Sequence, residues 1–324
     1  VNDQLLHGQI GSGKGGSSSS NKIARFVIGT SIAGWTSQEV DYLCDGTSDQ
    51  EEINNAIQAL PESGGEIIIL DGIYFITGHI LVDKNNVSLW GNGSATVIKR
   101  MYDNTVLGGL ITLTNVEYCK VSNLMVDGND YSASLNVGIY LDFSLNCSIS
   151  GNICSKNARG IYLDNGNNNI IATNTCNGNS GTGIYLSSSS SSTITGNTCN
   201  SNSSGTGLTI NVLKNSSITG NTCIDNKGAG ITSMTLKNSS ITGNTCIDNG
   251  TDGIYLSSSS NNTVVGNTCI RGNGTATDYT VSQNTIRLNS TGNNYNLISS
   301  NNCMGKDIVI GGGTANTSVN NKFQ

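Results

Sequence analysis

Two aspartates stand where a repeating sequence departs from itself. Ile139-Tyr140-Leu141-Asp142 and Ile161-Tyr162-Leu163-Asp164 share one pattern, whereas Ile184-Tyr185-Leu186-Ser187 and Ile254-Tyr255-Leu256-Ser257 keep the tyrosine and replace the aspartate with serine. Strict alternation sends isoleucine and leucine to one face of a strand and tyrosine and aspartate to the other. On neighbouring strands Asp142 and Asp164 would stand roughly 5 Å apart, within reach of the ~5–5.5 Å carboxylate separation of retaining glycoside hydrolases. Crowding two like charges raises one pKa, so one group can act as general acid while the other stays ionised. Asp142 and Asp164 are therefore the candidate catalytic pair. Tyr140, Tyr162 and Tyr185 would form an exposed platform for sugar rings, with Arg159, Asp127 and Lys156 near them. The plainer alternative is solvated decoration on a sheet face.

What positions these residues is a repeated phrase, Gly-Asn-Thr-Cys, at Gly196–Cys199, Gly220–Cys223, Gly243–Cys246 and Gly266–Cys269, with relatives ending at Cys154, Cys176 and Cys303. Cys154, Cys176, Cys199, Cys223, Cys246 and Cys269 follow one another at steps of 22, 23, 24, 23 and 23 residues. Such a period signals a solenoid, whose repeats bury apolar faces against their neighbours. Each period holds three short apolar strings between turn formers, too short for helices. The pattern predicts an all-β chain: a single-stranded, right-handed parallel β-helix with three short strands per coil. Stacking would place Asn152, Asn174, Asn197, Asn221, Asn244 and Asn267 in a corner ladder that satisfies buried backbone. The cysteines would point inward as small hydrophobes, because parallel Cβ vectors about 4.8 Å apart are slightly too far for a disulfide. Metal ligation would need convergent Cys or His at short spacing, and the sequence has no Cys-x-x-Cys.

The remaining chain divides by composition. Residues 1–22 read as a flexible Gly/Ser-rich arm. Its Gly-Ser-Gly-Lys-Gly-Gly run lacks the spacing of a phosphate-binding loop. Residues 23–65 read as an N-terminal cap with a helix near 49–60, where Ile53, Ala56, Ile57 and Leu60 share a face and Pro61 marks the stop. The β-helix is expected over 66–310, interrupted by a polar insertion at 271–291, and 311–324 reads as a polar C-terminal tail. A net charge of −6 without a Lys/Arg stripe argues against nucleic acid. No apolar run reaches the ~18 residues of a membrane span, which argues against insertion.

Asp45-Gly46-Thr47-Ser48-Asp49, the short helix, Gly64-Gly65-Glu66-Ile67 and Gly91-Asn92-Gly93 together resemble the N-terminal region of pectate-lyase-like β-helix proteins. The Gly-Asn-Thr-x and Gly-Ile-x-Leu coils look like those of such enzymes and of bacteriophage tail spikes. The resemblance runs from about residue 40 to the end. It is specific for fold and poorly specific for activity, because the same coils serve lyases, hydrolases, epimerases and adhesins. It implies a polysaccharide partner, an extracellular or virion-associated setting and a homotrimer. Three functions stay open: cleavage by the carboxylate pair, which needs no cofactor; a non-catalytic structural or adhesin role; and a uronate lyase, for which alone Ca²⁺ and a Lys, Arg, His or Tyr base would be required. The two histidines are His7 and His79, in the arm and an early coil.

Overall fold

Corner geometry builds this molecule. The repeat glycines adopt a left-handed backbone, with φ of 67° at Gly151, 62° at Gly196 and 64° at Gly220 and Gly243. A side chain would be strained there, and the sharp bend turns the following asparagine inward. In the computed structural model, which describes residues 24–131, 133–270 and 284–323, those asparagines form one continuous file. Asn152 Nδ2 donates to Asn174 Oδ1 at 3.0 Å, Asn174 to Asn197 at 3.1 Å, Asn197 to Asn221 at 2.9 Å and Asn221 to Asn244 at 3.0 Å. Asn244, Asn267 and Asn301 continue the chain of donors to Asn321. A second file, Asn179, Asn202, Asn226 and Asn249, ties another corner in the same way.

Among the described residues the strands form three parallel sheets of 15, 11 and 5 strands. One coil reads Leu208–Lys214, Ser217–Thr219, Thr222–Ile224, and each strand pairs with its counterpart one coil away. The fold is the right-handed parallel β-helix expected from the period. Inward isoleucines, leucines, valines and cysteines fill a single core along its length. All ten cysteines are free and buried. Burial pushes the Cys176 and Cys199 thiols well above their ordinary range.

Strand pairing extends past both expected limits. Arg25–Thr30 pairs with Gly65–Ile69, so the 15-stranded sheet starts well before residue 66. Thr317–Val319 and Lys322–Phe323 pair with Leu297–Ser299 and Asn302–Met304, so 311–324 is no mere tail. The reason is that Asn316 and Asn321 repeat the ladder, each accepting from an asparagine one coil earlier at 2.9 Å. The helix Gln50–Ala59 forms, buries Ile53, Ala56 and Ile57, and packs against Tyr42–Cys44 and Ile80–Val82. The arm at 1–22 and the 271–283 part of the insertion lie outside the described residues.

Coil length varies where it matters. Along the 11-stranded sheet Ile80 pairs with Ile111, Ile111 with Ile139, Ile139 with Ile161 and Ile161 with Ile184, steps of 31, 28, 22 and 23 residues. The surplus in the first two steps places 101–107 and, among the described residues, 128–131 and 133–135 in loops beside the start of this sheet. Asn136 clamps them together: its Nδ2 donates to Asp103 Oδ1 at 2.7 Å and its Oδ1 accepts from the Asn104 backbone at 2.9 Å.

Candidate functional site

The strands Asn136–Asp142 and Arg159–Asp164 run parallel with Tyr140 opposite Tyr162 and Asp142 opposite Asp164. Thr114 precedes the aspartates in the same row and Ser187 follows them. Both aspartates are partly exposed at the ends of their strands, so the like charges the sequence places side by side do meet. Burial and then the Asp164 charge hold the Asp142 carboxyl above its ordinary value, while a hydrogen bond with Tyr140 pulls it partly back. The arrangement sets a carboxyl held above its ordinary value beside a second aspartate, one strand spacing of about 4.8 Å away.

The tyrosines depart from expectation. Tyr140 and Tyr162 point outward from the core but are only 7% and 8% exposed, so they are not an open platform. The two long coils supply the cause: Leu107, from the first loop, and Val137 pack on the tyrosines. The rings also cover each other, with centroids 5.2 Å apart for Tyr140 and Tyr162 and 4.8 Å apart, edge to face, for Tyr162 and Tyr185. Arg159 closes the cluster, its guanidinium 5.4 Å and 5.3 Å from the Tyr162 and Tyr185 centroids and its Nη1 donating to Ser134 O at 3.2 Å. Burial and the Asp164 charge push the Tyr162 phenol up to about 12. What remains reachable is a rim of Asp142, Asp164, Tyr185 and Arg159.

Asp127 does not join that rim. It ends a strand of the 15-stranded sheet opposite Ser155, is 8% exposed, and accepts the Asn129 backbone N–H at 2.9 Å. Its task is to turn the chain into the second loop. Lys156 lies 3.8 Å from Asp130 in that loop.

A constellation the sequence reading did not assemble lies beside the tyrosines. His79 Nδ1 is 2.6 Å from Gly109 O and 3.2 Å from the Tyr102 hydroxyl. Donation to the carbonyl assigns the proton to Nδ1 and leaves the Nε2 lone pair free. The two rings meet edge to face at 5.7 Å, and Arg100 lies 5.0 Å from the Tyr102 centroid. Arg100 is fully buried, donating to Asn136 Oδ1 at 3.3 Å and Val137 O at 2.6 Å. Burial raises the Tyr102 phenol and the Arg100 charge draws it back. A Cβ at Gly108 would lie 2.6 Å from His79 Cε1 and one at Gly109 would lie 3.0 Å from Tyr140 Cβ, so this glycine pair seats both side chains. The sequence signal for it was the adjacent Gly108-Gly109 opening a strand.

A shallow groove of about 590 Å³ follows the turn after this sheet in later coils, past Ser191, Asn215, Asn238 and Asn261. It is lined by amides and hydroxyls repeated once per coil.

Comparison with known proteins fits this architecture. A family model described as periplasmic copper-binding protein (NosD) matches residues 70–232, half of the chain, and one described as right handed beta helix region matches 182–323. No curated protein sequence matches significantly. Among solved structures, the Dettilon tailspike protein superposes with a TM-score of 0.65 at 18% identity, over 86% of this chain and 64% of its own. This chain thus spans less than two thirds of that tailspike. DFA-IIIase from Arthrobacter chlorophenolicus A6 gives a TM-score of 0.66 at 15% identity, covering 93% of this chain and 88% of the enzyme. Alginate lyase from Paenibacillus sp. str. FPU-7 gives 0.59 at 16% identity, covering 93% and 97%. At these identities the likeness establishes the fold.

The copper in the family description finds no matching ligand set among the described residues. One group converges closely enough for a metal, Cys44, Asp49 and Glu52, with ligand atoms within 4.8 Å of one another. It lacks the imidazole or second sulfur that copper favours. Both Asp49 oxygens are already engaged, accepting from Gly46 N at 2.7 Å and Phe75 N at 2.6 Å. The coil architecture and the match over half its length nevertheless identify this chain as a member of the NosD family of β-helix proteins.

Proposed function

We propose that the protein binds a polysaccharide along the outer face of its 11-stranded sheet and cleaves it with retention of configuration, using Asp142 as general acid and Asp164 as nucleophile. The observation that carries this reading is the direct pairing of the two aspartates on adjacent strands, with Asp142 held toward its protonated form. In the first step the Asp164 carboxylate would attack the anomeric carbon while Asp142 gives its proton to the departing glycosidic oxygen. In the second, Asp142 takes a proton from water, whose oxygen attacks the anomeric carbon and releases Asp164. Neither step calls for a cofactor. Tailspike, alginate lyase and DFA-IIIase structures on the same scaffold support a polysaccharide-directed role, and we extend the reading to an extracellular or virion-borne protein assembled as a homotrimer.

The contact between His79 and Tyr102 favours a second reading, β-elimination at a uronate. There the free His79 Nε2 would take the proton α to the carboxylate and the Tyr102 hydroxyl would protonate the leaving oxygen as the C–O bond breaks. Product analysis separates the readings. Incubation with alginate, polygalacturonate and neutral glucans should yield new reducing ends without ultraviolet absorbance. Unsaturated products absorbing near the ultraviolet would replace the hydrolase with the lyase. Retention of polysaccharide without any product would leave an adhesin.

A further inference from the structure

Exposed aromatics occupy backbone positions that this fold otherwise gives to asparagine or serine. After three successive strands of the 11-stranded sheet the chain turns through a residue of positive φ, whose N–H donates to the next coil. Asn115, Phe143 and Asn165 hold equivalent places, with φ of 52°, 46° and 51° and N–H bonds to the carbonyls of Asp142, Asp164 and Ser187. Three residues later comes a second such row. Tyr118, Asn146, Asn168, Ser191, Asn215, Asn238, Asn261 and Tyr295 all have φ between 50° and 58° and repeat one backbone hydrogen bond.

Asparagine and serine suit this conformation, because a short polar side chain tolerates the left-handed region. A bulky aromatic does not, and its presence there is a genuine outlier. Nor is the strain offset by packing, since Phe143 is 55% exposed and Tyr118 is 57% exposed. Two unfavourable choices at one position point to a use outside folding. Phe143 falls in the coil that carries Asp142, and Tyr118 in the coil before it, whose strand pairs Thr114 with Asp142. Phe143 is the residue after Asp142, and the Tyr118 N–H bonds to Leu145 O at 3.1 Å, two residues further along.

We infer that Phe143 and Tyr118 form a saccharide-stacking subsite that seats one ring of the polysaccharide beside Asp142 and Asp164. The inference rests on the polysaccharide reading above. A sugar ring presents apolar C–H faces and a hydroxylated rim. The aromatics take the face at low entropic cost, and the aspartates and nearby turn amides take the rim. Nothing in the scaffold requires an aromatic here, so the subsite can be removed without touching the fold.

The test is a set of ladder-restoring substitutions followed by affinity electrophoresis in alginate, polygalacturonate and dextran gels, with Tm measured in parallel. Phe143→Asn and Tyr118→Asn should each raise Tm, because asparagine relieves the backbone strain. Each should also weaken retention by the bound polysaccharide about tenfold, a loss of ~1.4 kcal/mol. Tyr295→Asn is the control: it occupies the same ladder, is 64% exposed and lies far along the solenoid from the aspartates. It should raise Tm and leave retention unchanged. Retention of Phe143→Asn within twofold of the parent, or an equal loss in Tyr295→Asn, overturns the subsite while leaving the polysaccharide reading intact. A parent protein retained by none of the gels overturns that reading and the subsite with it.

Discussion

Two arginine–tyrosine clusters sit on the same outer face of the 11-stranded sheet and resolve their charge in opposite ways. In the later one, Arg287 lies 4.7 Å from the Tyr255 centroid and grips Asp252 Oδ2 through Nε at 3.0 Å and Nη2 at 2.6 Å. Asp252 is 1% exposed, and its other oxygen accepts from the Asn284 backbone at 3.1 Å. Every charge there is answered, and the cluster ties one coil to the next. In the earlier one, Arg159 stacks on two tyrosines but bonds only a backbone carbonyl, while Asp142 and Asp164 face each other across the strands. A pair of crowded carboxylates is an expense to the fold, and the same fold shows how it could have been avoided. On the reading proposed above, function sits where charge is left unanswered.

The comparison breaks most visibly under removal of one charge from each cluster. Asp142→Asn and Asp164→Asn should each lower turnover about 10³-fold, the scale of a lost general acid or nucleophile. Neither should lower Tm, since each relieves a repulsion. Asp252→Asn should do the reverse. It leaves the Arg287 guanidinium without its buried partner at a cost of about 3 kcal/mol, with turnover preserved at temperatures where the variant is folded. Calorimetry beside product release checks both halves. A catalytic loss in Asp252→Asn equal to that in Asp142→Asn would erase the distinction.

Much of this architecture is legible in the sequence because a solenoid writes its geometry as a period. The Asn152-to-Asn267 file follows from spacing alone, as does the register that sets Asp142 against Asp164. What the period could not convey is what happens when it fails. The 31- and 28-residue coil steps carry loops held together by the clamp at Asn136, and the first of them sets Leu107 against the cluster of Val137, Tyr140 and Tyr162. For the same reason His79 and Tyr102 meet although no repeat relates them. Asp127 looked close by residue number, yet the corner after it places its strand in a different sheet.

Titration sharpens the comparison at the level of one proton. The folded protein holds Asp142 above its ordinary value through burial and then the Asp164 charge. The stability this group contributes is therefore present at low pH and lost as pH rises through its folded pKa. Turnover should fall over the same range, as the general acid loses its proton, which makes the alkaline limb of the pH–rate profile the signature of Asp142. In Asp164→Asn the repulsion disappears, and NMR titration of the Asp142 carboxyl should give a lower value, still raised by burial. An Asp142 pKa unmoved by that substitution would separate the two groups electrostatically and remove the basis for their pairing.

The smallest expected effect discriminates between the arginines themselves. Arg159→Met keeps the aliphatic stem over Tyr162 and Tyr185 and removes only the guanidinium, whose interactions are one carbonyl bond and two ring contacts. A partly exposed cation–π contact is worth about 0.5–1 kcal/mol, so stability should fall by about that much. Arg287→Met also forfeits a cation–π contact, but it strands a carboxylate whose side chain is 1% exposed, and its cost should be several times larger. Polysaccharide retention should respond in the opposite order, weakening in Arg159→Met at the rim of the carboxylate pair and holding in Arg287→Met. Equal losses of stability in the two variants would mean that Arg159 is a staple like its counterpart. The reachable rim would then reduce to the aspartates and Tyr185, and recognition would have to come from the turn beyond them.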